Sequence, residues 1–249
     1  MQSPELFTKV ADEVASRDLS SFGLKSLTTI LSAYASAKYE SSPLLFEKIC
    51  EAIVGRKANV SNQTLPNILW AYAVFGYVKS PIFLAMAPRV MTVLHKCNCE
   101  SLTIIAWSYA AANVDDPMLF NERFLNALLE KMDSFNVIQL TRLHQWHLWR
   151  QEKSSSIRLP PAFETKCYGA FISEEPTVSS FQKEVMARLR VLGLRPKEEE
   201  LTKIGYSLDA IVEVNGKQLG VEVDGPSHFI GKIDFENRMR ELSRPETQC

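Results

Sequence analysis

Thr64-Leu65-Pro66-Asn67-Ile68-Leu69-Trp70-Ala71-Tyr72-Ala73 decides the reading of the first half of the chain, because the same pattern stands on either side of it. Upstream it is Ser26-Leu27-Thr28-Thr29-Ile30-Leu31-Ser32-Ala33-Tyr34-Ala35, and downstream Ser101-Leu102-Thr103-Ile104-Ile105-Ala106-Trp107-Ser108-Tyr109-Ala110. A degenerate fourth copy runs Leu140-Thr141-Arg142-Leu143-His144-Gln145-Trp146. The leading leucines are 38, 37 and 38 residues apart, and Tyr34, Tyr72 and Tyr109 keep the same period. Self-similarity at a fixed period of this size is the mark of a repeat architecture. Within each copy Leu27, Ile30/Leu31 and Tyr34, or their equivalents, recur at helical spacing.

A second half opening on proline precedes each copy, at Pro4, Pro43, Pro81 and Pro117. Proline suits the first helical turn, where its missing N–H costs no helical bond. Pro4-Glu5-Leu6-Phe7 resembles Pro43-Leu44-Leu45-Phe46 and Pro117-Met118-Leu119-Phe120, so the array begins with a half repeat and Met1 need not be the start of the natural precursor. Residues 1–153 are therefore expected to form an α-solenoid of helix hairpins of about 37–38 residues each, every hairpin burying its apolar face against the next. The Trp70/Trp107 and Tyr34/Tyr72/Tyr109 stripe fits either base stacking or the seam between hairpins, and aromatics in register with leucines favour the seam. His144 and His147 are three apart, a spacing that suits metal ligation, but no third ligand is near. A capping surface is the better reading, with Trp146, Trp149, Arg142 and Arg150 beside it as an aromatic–arginine patch able to touch RNA.

Residues 151–162 are polar and rich in serine and proline, so 154–177 is read as a linker with a short helix over 163–173. From residue 178 the pattern changes class. Phe181, Val185, Leu189 and Leu192 mark one helix face, and Gly193 a helix stop. Tyr206–Val214 and Lys217–Asp224 then flank Asn215-Gly216, a strong hairpin signal. A two-residue turn pairs Val214 with Lys217, Val212 with Leu219, Ala210 with Val221 and Leu208 with Val223. The other face sets Asp209 against Glu222 and Asp224 beside Ser207. Like charges directly opposite destabilise a sheet, so this pair calls for a cation, a raised pKa or a basic neighbour.

With Glu184 on the preceding helix, that arrangement resembles the PD-(D/E)XK nuclease core, in which carboxylates hold Mg²⁺. A closer resemblance lies in Gly205-Tyr206-Ser207-Leu208-Asp209 followed by Gly220-Val221-Glu222-Val223-Asp224-Gly225-Pro226-Ser227-His228-Phe229, which looks like the RAP domain. The repeat length and the L-x-x-I-x-x-x-Y-A pattern resemble the octotricopeptide and heptatricopeptide repeats of organellar RNA proteins. The resemblance implies a RAP-like α/β domain over 178–249, lacking the closing strands of the family. It also implies a non-catalytic RNA-binding protein of the mitochondrion: a matrix ribonucleoprotein component, rRNA-associated in a mitochondrial ribosome, with neighbouring proteins as partners and no cofactor.

Two alternatives stay open. One is a metal-dependent endoribonuclease using Glu184, Asp209, Glu222, Asp224 and His228, with Mg²⁺ held by Asp209 and Glu222. The other is an α-solenoid scaffold that binds proteins only. The net charge of −1, from 28 basic and 29 acidic side chains, excludes a broadly basic nucleic-acid binder. Phosphate contacts must then come from local arginines, of which Arg89, Arg142, Arg150, Arg188, Arg190, Arg238 and Arg240 are the candidates. The five cysteines are odd in number and fit neither a zinc ribbon nor a disulfide framework. No apolar stretch reaches the roughly 20 residues of a membrane span, and no secretory signal or transit peptide is visible.

Overall fold

The computed structural model describes residues 4–39, 43–77, 80–173, 178–223, 229–230 and 233–234. Among them are ten α-helices and, toward the C-terminal end, a small three-stranded antiparallel sheet. The first-half copies form α2 (Leu24–Ala37), α4 (Leu65–Val74), α6 (Cys99–Ala111) and α8 (Val137–Glu152). The second halves form α1 (Pro4–Ser16), α3 (Pro43–Val54), α5 (Ile82–Val93) and α7 (Glu122–Leu129). Each first-half helix packs on the next, α2 on α4, α4 on α6 and α6 on α8, while α1 packs on α3 and α3 on α5. One continuous buried cluster runs from Ala11 to Cys167.

The repeated tyrosine explains why the copies sit in register. The hydroxyl of Tyr34 donates to the Phe7 carbonyl, that of Tyr72 to Phe46 at 2.7 Å, and that of Tyr109 to Phe83 at 2.6 Å. Each ring meets its phenylalanine edge-on, with centroids 4.8, 5.8 and 5.3 Å apart. All three tyrosines are buried, and burial pushes their hydroxyls above the ordinary phenol range. They are seam residues and offer no face to a base. Trp70 and Trp107 are only partly buried on the same packing.

Asparagine starts the later helices: Asn98, Asn121 and Asn136 each accept a backbone N–H of the first turn, and Asn136 with Gln139 forms a capping box. This corrects the reading of Pro117. Residues 117–120 make a turn in which the Asp116 carboxylate takes the Met118 N–H, and α7 starts only at Glu122 behind the Asn121 cap. Pro4, Pro43 and Pro81 do stand at helix starts.

The stretch read as a linker is also packed. It holds α9 (Pro161–Phe171), which lies on α8 with Phe163 and Cys167 in the main core, and Leu159 is buried before it. Next come α10 (Ser180–Val191), β1 (Lys197–Leu201), β2 (Ser207–Val214) and β3 (Lys217–Val221), in sheet order β1-β2-β3, and then the short β4 (Phe229–Ile230) and β5 (Ile233–Asp234), paired with each other. The inward face of α10 differs from expectation: Gln182 and Met186 are buried, whereas Phe181 and Leu192 are exposed. Gly193 does end the helix, with φ +82°. Met186, Ala210 and Val212 are buried outside the main cluster. No helix among the described residues is long and apolar enough to cross a membrane.

Removing a seam hydroxyl deletes one inter-helix hydrogen bond, while the phenylalanine carbonyl stays within its own helical turn. Tyr72→Phe and Tyr109→Phe are expected to cost about 0.5–1.5 kcal/mol each, and Tyr34→Phe less, because its bond is only part-buried. Urea unfolding checks this: the midpoint falls while the slope stays constant.

Candidate functional site

The helices and the hairpin meet at Gly205. A turn closed by Thr202 N–H to the Tyr206 carbonyl (2.8 Å) and Gly205 N–H to the Thr202 carbonyl (3.0 Å) presses Gly205 onto the end of α9. A Cβ there would lie 2.9 Å from Phe171 Cδ1 and 3.1 Å from both Tyr168 and Ile172, at a φ of +94°. Only glycine fits both the space and the dihedral. Tyr206 meets Phe171 edge-on at 5.0 Å. From α8, His144 Nε2 lies 2.8 Å from the Ile204 carbonyl and so donates to it, its ring between Tyr168 and Phe171.

His147, one turn on, is equally enclosed. Its Nδ1 accepts the Leu159 N–H, which leaves the proton on Nε2, 3.3 Å from the Glu164 carboxylate. Burial holds both imidazoles below their ordinary pKa. The pair is an internal clasp between α8 and its neighbours rather than a capping surface.

The hairpin takes the expected register: Val214 opposite Lys217, Val212 opposite Leu219, Ala210 opposite Val221. Asn215 and Gly216 have φ of 52° and 75°, the double positive φ of a type I′ turn. The ladder ends at Val221, so Leu208 and Val223 are not paired. Carried one residue further, the register sets Asp209 opposite Glu222. The Asp209 carboxylate accepts the Val223 N–H at 2.5 Å, and it ties down the chain where the ladder stops.

Sequence reasoning missed β1, since consecutive glutamates carry no strand signal. Through it Glu199 comes level with Asp209, between the pairs Glu198–Ala210 and Glu200–Leu208. Its carboxylate accepts from the buried Gln182 amide at 2.6 Å and from Ser207 at 3.1 Å, which fastens α10 to the sheet. Glu184 is exposed on α10 and faces Arg188 at 4.0 Å. Asp224 and His228 lie outside the described residues. Among the described residues no group of three or more His, Cys, Asp or Glu is arranged to hold a metal ion.

The candidate arginines separate by environment. Arg150 must be struck from the phosphate contacts: it is 3% exposed, ion-paired to Asp115, bonded to Ser155, and its guanidinium covers the Phe120 ring at 5.0 Å. Arg89 is half-buried and donates to the Val60 carbonyl at 2.7 Å. Arg142 pairs with Glu100 at 2.7 Å. Arg188 and Arg190 stand exposed on α10, the latter paired with Glu198. Arg238 and Arg240 lie outside the described residues.

No protein-family model matches this chain, and neither does any curated protein.

Two outcomes follow from the Gly205 junction. Gly205→Ala is expected to destabilise by more than about 1 kcal/mol and to make the 202–206 turn a protease-cleavage site, read by limited proteolysis. The unfolded chain takes protons on His144 and His147 near pH 6.5, whereas the folded chain resists until lower pH. Just below pH 6.5 the unfolded state therefore binds more protons, and stability drops as the pH falls. The melting temperature of the wild type should decline more steeply than that of His144→Gln between about pH 7 and pH 5.5; groups common to both proteins cancel in this comparison.

Proposed function

We propose that this chain is a non-catalytic RNA-binding protein of organellar, mitochondrial RNA metabolism, an rRNA-associated component of a mitochondrial ribosome or related ribonucleoprotein. In this reading the stacked helices are an α-solenoid and residues 178–249 a RAP-like unit. The observation that carries it is the Gly205 junction. The Gly205–Asp209 run on which the RAP resemblance rests is also where the hairpin locks onto the helical stack, so repeats and hairpin act as one platform for a long ligand.

Three further facts support binding over cleavage. Asp209 is occupied by the Val223 N–H, Glu199 by Gln182 and Ser207, and Glu184 stands exposed beside Arg188. A metal-dependent nuclease needs such carboxylates turned to a common ion.

The deciding experiment is sedimentation of mitochondrial ribosomal particles at high salt, with crosslinking of the protein to RNA in those particles. Co-sedimentation with a crosslink is expected. Co-sedimentation without any crosslink favours the scaffold reading, and Mg²⁺- or Mn²⁺-dependent RNA cleavage abolished by Asp209→Ala favours the nuclease. The double variant Arg188→Ala/Arg190→Ala is expected to weaken RNA binding and to reduce the slope of log affinity against log salt by roughly one to two.

A further inference from the structure

The first-half helices carry equivalent positions that are used in opposite ways at the two ends of the array. Lys25, Gln63 and Glu100 are equivalent, as are Thr29, Asn67, Ile104 and Arg142, and Ser32, Trp70, Trp107 and Gln145, each 37 or 38 residues apart. Between α6 and α8 these side chains bond to one another. Trp107 Nε1 donates to Gln145 at 2.9 Å, and the Glu100 carboxylate accepts from Gln139 at 2.9 Å and Arg142 at 2.7 Å. That seam is closed.

Between α2 and α4 the same positions leave a cleft of about 560 Å³, bordered by Lys25, Thr29, Ser32, Gln63 and Asn67. The side chains of Lys25, Ser32, Gln63 and Asn67 hold no hydrogen bond or ion pair among the described residues. Its volume falls in the ~300–1,000 Å³ range of small-ligand pockets.

The chemistry of the lining selects the occupant. No carboxylate borders this cleft, whereas the other described clefts include Glu47 and Glu51, Asp18, or Glu213. Lys25 is its one charged side chain, whereas the cations of the other described clefts, Arg17, Lys48 and Arg56 or Arg195 and Lys197, stand beside carboxylates. Two neutral amides offer paired donor and acceptor to a base edge, hydroxyls offer contacts to a sugar, and one lysine meets a single phosphate.

We propose that the α2–α4 cleft seats one unpaired nucleotide of a single-stranded RNA, with Gln63 and Asn67 reading the base and Lys25 holding its phosphate. Recognition is thereby concentrated at this one seam and not spread over every repeat. The inference rests on the RNA-binding reading given above.

Fluorescence anisotropy of the full chain with labelled single-stranded homopolymers of each of the four bases tests it. Gln63→Ala and Asn67→Ala should weaken the best-bound homopolymer about tenfold and leave the worst-bound unchanged. Lys25→Ala should weaken all four alike and lower the salt slope by about one. Gln63 and Asn67 are exposed and have no side-chain partner among the described residues, so melting temperatures should stay parental and confirm folding. If both amide variants keep parental affinity for every homopolymer, the cleft is not the seat, although RNA binding itself stands. If the parent binds none of the four at low salt, the RNA-binding reading falls and this inference with it.

Discussion

The structure depends on one hydrogen bond used three times, buried in two of them, from a tyrosine hydroxyl on a first-half helix to a phenylalanine carbonyl on an earlier second-half helix. Apolar burial supplies most of the favourable free energy here but has no direction, and leucines alone would let one helix pair slide over the next. A phenol that must find an acceptor in a dry seam fixes both register and rotation, because the unmade bond costs more than the made bond gains. In the fourth copy His147 takes the tyrosine position, and the seam is held differently: Trp149 donates to Asn113 at 2.9 Å, and Arg150 closes over Phe120. The change of residue coincides with a change of neighbour, since α8 packs onward to α9 rather than to another copy.

The same economy explains the junction with the sheet. Helix α10 and three strands make a small core, Met186, Ala210 and Val212, and a unit of that size gains from a neighbour. Gly205 lets the β1–β2 turn approach the aromatic end of α9, while His144 supplies a polar bond in that contact. An imidazole held neutral by burial suits this position: it can donate to a carbonyl without bringing a charge into an aromatic pocket.

Much of this was legible in the sequence, and what was not has identifiable causes. The periodic leucines and tyrosines announced the helix pairs, and Asn215-Gly216 announced the hairpin and its register, because both signals are local and strong. Strand β1 was hidden: Lys197-Glu198-Glu199-Glu200-Leu201 has no alternation, and only pairing with β2 makes it a strand. α9 was visible but its packing was not, since Ser and Pro before it signal a connection whether or not the helix beyond is packed. The inward face of α10 was misplaced by one position because Gln182 is buried to meet Glu199, a contact that no periodicity of apolar residues reveals. At the candidate site Asp209 was found for its charge, yet its use as an acceptor for Val223 comes from where the ladder ends.

The fate of the arginines bears most directly on function. Arg56 spends its guanidinium on the carbonyls of Phe22 at 2.6 Å and Leu19 at 3.2 Å, Arg89 on Val60, and Arg150 on Asp115 and Ser155. These cations close carbonyl ends and loops between helices and are withdrawn from any phosphate. A chain of net charge −1 that commits its arginines in this way has little long-range attraction left for RNA. Under the proposed reading its contacts must therefore be short-ranged, made by neutral amides and hydroxyls at close quarters, with only a few cations such as Lys25 and Arg188 set beside them. Such a binder gains more from base edges than from backbone charge. On that proposal it would suit a single RNA partner inside a packed particle, where neighbouring proteins would supply the remaining neutralisation.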